Sequence, residues 1–422
     1  MAISKGLISM VDWTKIRSDF PALERTINGR PVVYLDSACM ALKPRQVINA
    51  MNEYYEQYPA CGGRSIHKFG EEASNAYTAA RGKFAKFLNA ADEKECIWTR
   101  NATESLNIVA SAINLPKDSK ILTTSLEHHS GSLPFVERAR RDGLSIEVIK
   151  AKSDGTFDIE QWKDTIDSKT SLISVVHSSN VTGTVVPMKE IVEIAHDCGA
   201  LVMSDDAQYA PHHPLDVQEL DIDFSAISVH KMCGPTGMGV LYGKSEHLES
   251  MNMCFYGGDT VSDVRFENGV ILPEYLPPPE KFEAGLQNYA GAIGAGAAAE
   301  YLQAIGMHEI EKHERSLLDV VLKRLCDMEH IQIIGTDDIT IKTGLVTFLV
   351  DTVPSAHDVA TFLNDELNIM VRSGWHCVGP FHYQLGIDPK KGTVRASFYL
   401  YNNRSDVDTF LSGLEALIEA SK

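Results

Sequence analysis

Short apolar runs alternate with amphipathic stretches along much of the chain. Six of these runs have the length and composition of buried strands, and they span residues 32–35, 121–124, 145–149, 172–177, 201–204 and 226–229. Helical periodicity separates the runs, for example over residues 188–198. Strands that alternate with helices form βαβ units around a mainly parallel sheet. The pattern therefore predicts an α/β fold with a large, mainly parallel sheet.

A proline-rich segment at residues 272–279 marks a change in composition. A Gly/Ala-rich helix pattern follows it, and then come a final amphipathic helix and three strand patterns, which span residues 345–350, 369–372 and 394–400. We predict a large α/β domain over residues 31–285. Residues 1–30 and 286–422 are expected to form a smaller α+β domain.

The composition of the 422 residues is that of a globular protein, with 44% hydrophobic and 23% charged positions, which excludes a disordered chain. The formal net charge of −18 argues against nucleic acid or an anionic membrane as a partner. No run approaches the ~20 apolar residues that span a bilayer, and the apolar stretch at residues 6–11 is too short for a signal peptide. We therefore expect a cytoplasmic protein without a membrane segment.

The eight cysteines give no metal-site pattern, because no two lie closer than 21 positions. Zinc sites are usually recognised by closely spaced cysteine pairs. We therefore expect no metal, and most of the thiols are interpreted as small buried side chains.

Polar side chains follow five of the predicted strands. They are Asp36, His128, Asn180, Asp205 and Lys231. In open α/β sheets the ligand lies beyond the carboxyl ends of the strands. The pattern predicts a small-molecule site at this edge of the sheet.

Each of these features has an ordinary structural alternative when it is taken alone. Asn101 is a plausible helix N-cap, and the helix start at Thr103 either binds an anion or is capped and binds nothing. Lys231 precedes a Gly-rich turn, where it could form a Schiff base with a carbonyl cofactor or be a solvated loop lysine. Asp205 alone is typical of a turn residue. His128 alone is typical of a structural histidine whose ring nitrogens are hydrogen-bonded within the protein.

The combination is more specific than its parts. Pyridoxal phosphate (PLP) needs a lysine for its aldehyde, a carboxylate for its pyridine nitrogen, an anion site for its phosphate and a flat partner for its ring. Those groups are present, in chain order, as Thr103, His128, Asp205 and Lys231. We predict a PLP enzyme.

The chain resembles the class V, fold-type I PLP enzymes and, among them, the SufS-type cysteine desulfurase and selenocysteine lyase family. This resemblance implies the fold-type I transferase fold, with a large, mainly parallel sheet of the seven-stranded type. The matching segments are YLDSACMALKP (34–44), RNATESLN (100–107), LEHHS (126–130), SSNVTGT (178–184), DDAQ (205–208), SVHKMCGPTGMG (228–239), FEAGLQN (282–288), VRSGWHC (371–377) and VRASFYLYN (394–402).

The resemblance implies a role for each residue around the cofactor ring. Lys231 would bond the aldehyde and later move the substrate's Cα proton. Asp205 would keep the pyridine nitrogen protonated, and Gln208 would donate to the ring oxygen with Asn180 nearby. His128 would stack on the ring and serve as a proton donor.

The resemblance also implies the phosphate ligands, which are Ala102, Thr103, Ser228 and His230. Arg395 would bind the substrate carboxylate as a planar bidentate donor. Cys377 would be the nucleophile, with His376 and Arg372 favouring its thiolate.

Further positions are expected near the substrate. Cys39 stands where relatives carry a small residue and is expected to line the pocket, while Arg64 and His67 match a motif at the substrate entrance. The chain departs from the family pattern at three positions, which are Gly131, Asp259 and Leu286. In relatives a hydroxyl at position 286 reaches the phosphate of the neighbouring subunit.

The function implied by the resemblance is removal of sulfur from L-cysteine, giving L-alanine and a persulfide on Cys377. The sulfur would pass to an acceptor protein for iron–sulfur cluster or thio-cofactor supply, and the enzyme would be a homodimer. Selenocysteine lyase, aminotransferase, epimerase and β-lyase activities remain alternatives on the same scaffold. A non-catalytic scaffold protein is an alternative from a different class.

Overall fold

A seven-stranded sheet, a four-stranded sheet and three two-stranded sheets, with helices around them, build residues 11–422, the part of the chain that this computed structural model describes. The strands are β1 (Thr26–Ile27), β2 (Arg30–Pro31), β3 (Val33–Tyr34), β4 (Cys96–Thr99), β5 (Lys120–Thr124), β6 (Ser145–Ile149), β7 (Thr170–Val176), β8 (Leu201–Asp205), β9 (Phe224–Ser228), β10 (Gly239–Gly243), β11 (Val261–Glu267), β12 (Val270–Tyr275), β13 (Ile331–Ile334), β14 (Leu345–Val350), β15 (Ile369–Met370), β16 (Arg372–Gly374) and β17 (Thr393–Ser397).

The helices connect these strands and cover the sheets. They are α1 (Trp13–Ser18), α2 (Arg45–Gln57), α3 (Lys68–Leu88), α4 (Ala102–Ala112), α5 (His129–Asp142), α6 (Ile159–Thr165), α7 (Met188–Asp197), α8 (Ser245–Ser250), α9 (Tyr289–Ile305), α10 (Met307–Asp327), α11 (Ala356–Leu367), α12 (Gly379–Gln384) and α13 (Arg404–Ser421). None of the helices in this range combines the length and apolarity needed to cross a membrane.

The larger sheet has the strand order β4-β10-β9-β8-β7-β5-β6. Strands β5 to β9 run parallel, and β10 is antiparallel to both of its neighbours. The predicted α/β fold with a mainly parallel seven-stranded sheet is confirmed. Strands β4 and β10 were not predicted from the sequence, because β4 has only four residues and β10 is bounded by glycines.

The core lies on both faces of this sheet, since successive side chains of a strand point to opposite faces. Leu172 of β7 packs in a cluster with α4 and α5, while its neighbour Ile173 packs in a second cluster with α3, α7 and α9. Burial on both faces explains why the parallel strands read as continuous apolar runs.

The smaller sheet has the order β13-β14-β17-β16 and is antiparallel. Helices α10, α11 and α13 share its core cluster, so the C-terminal part has the predicted α+β architecture. The strand predicted at residues 32–35 lies outside the large sheet, because β3 pairs in parallel with β15.

The division into residues 31–285 and residues 1–30 plus 286–422 stays a prediction. Helix packing favours a different boundary, since α9 buries its Gly/Ala face against α2 and α3 of the larger part. We propose that the boundary lies near Ile305. Residues 1–10 of the predicted small domain lie outside the described residues.

Residues 11–30 contact both parts of the molecule. Phe20 packs against Tyr301 of α9 and against Tyr401. Arg17 pairs with Asp406 of α13 at 2.8 Å and is half-buried. The N-terminal segment therefore bridges the two parts.

The contact between α3 and α9 depends on a glycine. A Cβ atom at Gly296 would lie 2.7 Å from Cα of Ala80, which is too close for two packed helices. We expect Gly296→Ala to force the helices apart and to lower the free energy of unfolding by about 1–3 kcal/mol. Thermal unfolding of the purified protein measures this change.

Gly257→Ala is the matched control, since a Cβ atom there meets no atom within 4 Å. It should leave the melting temperature within the error of the measurement. Equal melting temperatures for Gly296→Ala and the wild type would show that the helix contact adapts without cost.

Candidate active site

A narrow cavity lies where the parallel strands of the larger sheet end. It is enclosed by side chains from the loops after β4, β5, β7, β8 and β9, as expected for an open α/β sheet. The lining residues are Ala102, Thr103, His128, Ser130, Val176, Ser178, Asn180, Asp205, Ala207, Gln208, Ser228 and Lys231. The structure thus brings together eight of the nine residues predicted to hold a cofactor.

Lys231 and Asp205 are the charged pair of this cavity. Lys231 lies on the short helical turn after β9, and Asp205 ends β8 with its Oδ1 accepting from the amide of Ala207 at 3.1 Å. Burial lowers the pKa of Lys231, and the Asp205 carboxylate opposes that shift. Burial also raises the pKa of Asp205, opposed by Lys231. The pair gives a nucleophilic amine beside a carboxylate that favours a positive partner.

Two buried amide oxygens in the same cavity have no partner among the described residues. Asn180 donates from Nδ2 to the carbonyl of His376 at 2.7 Å, and Gln208 donates from Nε2 to the carbonyl of Ala38 at 2.6 Å. Asn180 Oδ1 and Gln208 Oε1 accept nothing. Buried polar atoms without a partner are costly in proteins, and these two lie in the lining of the same cavity.

The first turn of α4 forms one end of the cavity. Asn101 caps this helix as predicted, its Oδ1 accepting from the amide of Glu104 at 3.0 Å. The amide of Ala102 donates to Ser228 Oγ at 3.0 Å, and Thr103 places its hydroxyl 2.8 Å from that of Ser130. Backbone amides and hydroxyls at a helix start suit a phosphate group.

His128 caps α5 on the opposite wall. Its Nδ1 accepts from the amide of Ser130 at 3.1 Å. Burial, and then the charge of Lys231, lower the pKa of His128 to about 3. The imidazole is therefore neutral at pH 7.

Arg395 belongs to a charged cluster beside the cavity. It is 3% exposed and donates from Nη1 to the carbonyl of Asn180 at 2.9 Å, while its Nη2 lies 3.5 Å from Asp36. Asp36 also accepts from Arg372 at 2.6 Å, and Arg372 lies 2.8 Å from Cys39 Sγ. Arg395 Nε has no partner among the described residues. The half-buried Cys39 thus lies in the cluster of the predicted carboxylate ligand.

Cys377 is exposed on a tight loop between β16 and α12. His376 and Cys377 both have positive φ angles, 49° and 58°, which side chains other than glycine adopt rarely. The carbonyl of Cys377 accepts from the amide of His129 at 2.8 Å, and that of His376 accepts from Asn180. Hydrogen bonds to the cavity wall therefore hold the loop in place.

The structure contradicts the expectation that His376 favours the Cys377 thiolate. His376 is turned toward Thr393, whose hydroxyl lies 3.0 Å from Nε2. Burial holds its pKa well below the usual value, so the ring carries no charge at neutral pH. Arg372 contacts Cys39 and Asp36 instead. Sequence adjacency to Cys377 gave no information about these side-chain directions.

The predicted site residues outside the cavity lining are Cys39, Arg64, His230, Cys377 and Arg395. Arg64 is exposed and pairs with Asp259 at 3.4 Å in a separate groove. His230 precedes Lys231, but its ring is not part of the lining, and burial followed by Lys231 lowers its pKa to about 4. His67 caps α3 by accepting from the amide of Gly70 at 3.2 Å.

The other departures from the family pattern also have defined positions. A Cβ atom at Gly131 would lie 2.6 Å from Glu127 Oε2, so a buried carboxyl group occupies the space of a side chain there. Leu286 is 71% exposed and lines a groove away from Lys231.

Sequence reasoning missed Ser130 and Ser178, which line the cavity, and the bridging position of Asp36. Ser130 directly follows the paired histidines of the LEHHS segment, and Asp36 ends a predicted strand. These positions, next to residues already assigned to the site or to a strand, could have identified both as site candidates.

Comparison with known proteins defines the class. The model of the aminotransferase class-V family matches residues 33–410, which is most of the chain. The chain therefore belongs to the class-V aminotransferase family.

Within that family its relatives are cysteine desulfurases. The chain is 43% identical to a probable cysteine desulfurase of Halalkalibacterium halodurans, covering 95% of this chain and 97% of that protein. It is 39% identical to a cysteine desulfurase of Haloferax volcanii, covering 97% of each. The apo structure of a cysteine desulfurase from Thermococcus onnurineus superposes with a TM-score of 0.91 at 36% identity, covering 98% of this chain and 99% of that one. The predicted family is confirmed.

A buried lysine supports the loop that carries Asn180. Lys342 is 2% exposed and donates from Nζ to the carbonyl of Thr182, while its stem packs against Gly183. Burial lowers its pKa to about 7. In the unfolded chain a lysine titrates near 10.4.

Between about pH 7 and pH 10 the unfolded state therefore binds more protons than the folded state. The free energy of unfolding should rise with pH across this window, by up to about 1.4 kcal/mol per unit from this residue. Below about pH 7 the lysine is charged in both states, and the cost of burying the charge is present in full.

Lys342→Met should flatten this slope, because the side chain no longer titrates. Urea unfolding of the cofactor-free protein at pH 7, 8 and 9 measures it. Lys83→Met is the control, since Lys83 is exposed and paired with Glu300. Equal slopes of the free energy of unfolding against pH for Lys342→Met and the wild type would contradict the prediction.

Proposed function

We propose that this chain is a PLP-dependent cysteine desulfurase, which takes sulfur from L-cysteine to form L-alanine and a persulfide on Cys377. The observation that carries the proposal is the arrangement around one cavity. The cavity holds Lys231 beside Asp205. The side chain of Asn180 and the backbone amide of His129 donate to carbonyls of the loop that carries the exposed Cys377 thiol. The cysteine desulfurase relatives support the same reaction.

The residues present fit PLP. The Lys231 amine would bond its aldehyde, and the Asp205 carboxylate would pair with its ring nitrogen. Asn180 and Gln208 lie in the same lining, and each amide nitrogen gives one hydrogen to a backbone carbonyl, so the second hydrogen is the one that could reach the ring oxygen. The phosphate fits the first turn of α4 with Thr103. When bound, PLP withdraws electrons from the substrate's Cα and makes its proton acidic.

The residues that handle protons are Lys231 and His128. Burial lowers the pKa of Lys231 and so favours its uncharged amine, the form that can accept the Cα proton. His128 lies on the wall of the same cavity, but its low pKa leaves the ring neutral at pH 7. It can donate a hydrogen bond there, and it would first have to be protonated to give a proton to the substrate.

Arg395 is the carboxylate ligand in this proposal. Its Nε is free and its Nη2 has only a long contact to Asp36. A substrate carboxylate would replace this contact by a planar pair of hydrogen bonds. Cys39 and Arg372 would line the same end of the substrate site.

Sulfur transfer uses Cys377 as the nucleophile. Its thiolate would attack the substrate sulfur, so that an S–S bond forms while the Cβ–S bond breaks. The electron pair of the broken bond stays with the substrate carbon, which takes up a proton to give alanine. The exposed position of Cys377 suits a later transfer of the sulfur to an acceptor protein.

We also propose a homodimer. The hairpin of β11 and β12 is exposed along almost its whole length and carries Phe266 and Ile271, which are 76% and 68% exposed. A two-stranded hairpin is marginal alone, and large exposed apolar patches mark interaction surfaces. A second copy of the chain is the partner that this surface fits. A cytoplasmic location is consistent with eight free cysteines.

Cys377→Ser tests the nucleophile. The variant should bind PLP as the wild type does, yet lose alanine formation from L-cysteine by at least about 100-fold, because a hydroxyl does not take up sulfur. Alanine release measures the rate, and the mass of the peptide carrying Cys377 detects the added sulfur. Cys326→Ser, which changes an exposed thiol on α10, is the control.

Borohydride reduction of the loaded protein adds a test of the cofactor. The adduct should map to Lys231 and be absent from Lys231→Ala. Desulfuration by Cys377→Ser at the wild-type rate, or an adduct on another lysine, would contradict the proposal. Parallel assays with L-selenocysteine decide between the two amino acids.

Phe266→Asp tests the dimer, because a buried charge in the interface would separate the subunits. Light scattering after size exclusion should give the mass of two chains for the wild type and of one for the variant. Val148→Asp, at an exposed apolar position on β6, should leave the mass unchanged. A dimeric Phe266→Asp protein would place the interface elsewhere.

A further inference from the structure

Ser130 joins two walls of the cavity, the start of α4 and the start of α5. It is the second residue of α5, and its side chain lines the cavity. Its hydroxyl oxygen lies 2.8 Å from Thr103 Oγ1 on α4 and 3.1 Å from His128 Nδ1. A single hydroxyl thus connects the two helix starts.

These contacts decide which nitrogen of His128 carries the proton. Nδ1 faces the backbone amide of Ser130, which can only donate, so Nδ1 must accept. A neutral imidazole with an acceptor at Nδ1 carries its proton on Nε2. The Ser130 hydroxyl approaches the same Nδ1 atom and supports this tautomer when it donates there.

The same hydroxyl also fixes Thr103. When Ser130 donates its proton to His128, its oxygen accepts from the Thr103 hydroxyl. The order Thr103 to Ser130 to His128 then uses each hydroxyl proton once. With its proton given to Ser130, the Thr103 hydroxyl does not donate to a phosphate, and the backbone amides at the start of α4 would hold that group.

We propose that Ser130 is a cofactor-positioning residue, which fixes the Thr103 hydroxyl and the His128 ring at the two sides of the bound cofactor. This inference rests on the proposed function, since the cavity must hold PLP. Loss of the hydroxyl would free both neighbours at once, whereas the backbone amide of residue 130 would still cap α5 through His128.

The test uses the loaded protein and variants of the first turn of α5. Ser130→Ala should increase the rate of PLP release roughly 3- to 10-fold, which is the loss of about one hydrogen bond. It should also shift the absorption maximum of the bound cofactor, because the His128 ring against it is no longer fixed. Release is followed by transfer of PLP to an excess of a second PLP-binding apoprotein.

Two further variants distinguish an effect on the position of the cofactor from an effect on protein folding. Ser130→Thr retains the hydroxyl and should restore the wild-type absorption maximum. Ser132→Ala removes a hydroxyl from the same turn, outside the cavity lining, and should change neither readout. Thermal unfolding of each cofactor-free variant shows whether its fold is intact.

The outcomes distinguish this inference from the function on which it rests. A wild-type chain that takes up no PLP overturns the proposed function. A wild type that binds PLP, together with a Ser130→Ala protein of unchanged release rate and absorption, overturns the role of Ser130 alone. The role of Ser130 is also overturned if Ser132→Ala changes the rate of PLP release and the absorption maximum as much as Ser130→Ala does.

Discussion

The site depends on keeping an amine and a carboxylate together in a buried cavity. Burial makes the charged form of Lys231 less favourable, and the carboxylate of Asp205 opposes that shift. Asp205 ends β8, and Lys231 lies on the helical turn that follows the adjacent parallel strand β9. The main-chain hydrogen bonds of the sheet therefore set the positions from which both side chains reach the cavity.

The remaining groups reach this pair from elements that are distant in sequence. The loop of Cys377 is fastened to the larger part of the molecule by Asn180 and the amide of His129, and Arg395 donates to the carbonyl of Asn180. Asn180 therefore connects the predicted nucleophile, the predicted carboxylate ligand and the cavity. This connection explains how two separate core clusters can contribute to one reaction.

Much of the fold was predictable, because long apolar runs separated by helical periods define βαβ units. The strand ends also indicated Asp205 and Lys231, since parallel strands share one edge. The direction of side chains in irregular segments was not predictable. His376 turns away from Cys377, and Arg64 lies in another groove, because contacts distant in sequence decide both positions. The roles of the predicted site residues stay predictions until the variants are measured.

The position of Asp36 has a consequence for selectivity. This carboxylate lies between two guanidinium groups, those of Arg372 and Arg395, and offsets part of their charge before any substrate arrives. A free chloride ion would therefore meet a weaker attraction than two bare arginines would exert. In the proposed function an incoming amino acid would compete because its planar carboxylate matches the geometry of the Arg395 side chain. Asp36 would thus act as an internal competitor that favours carboxylates over spherical anions.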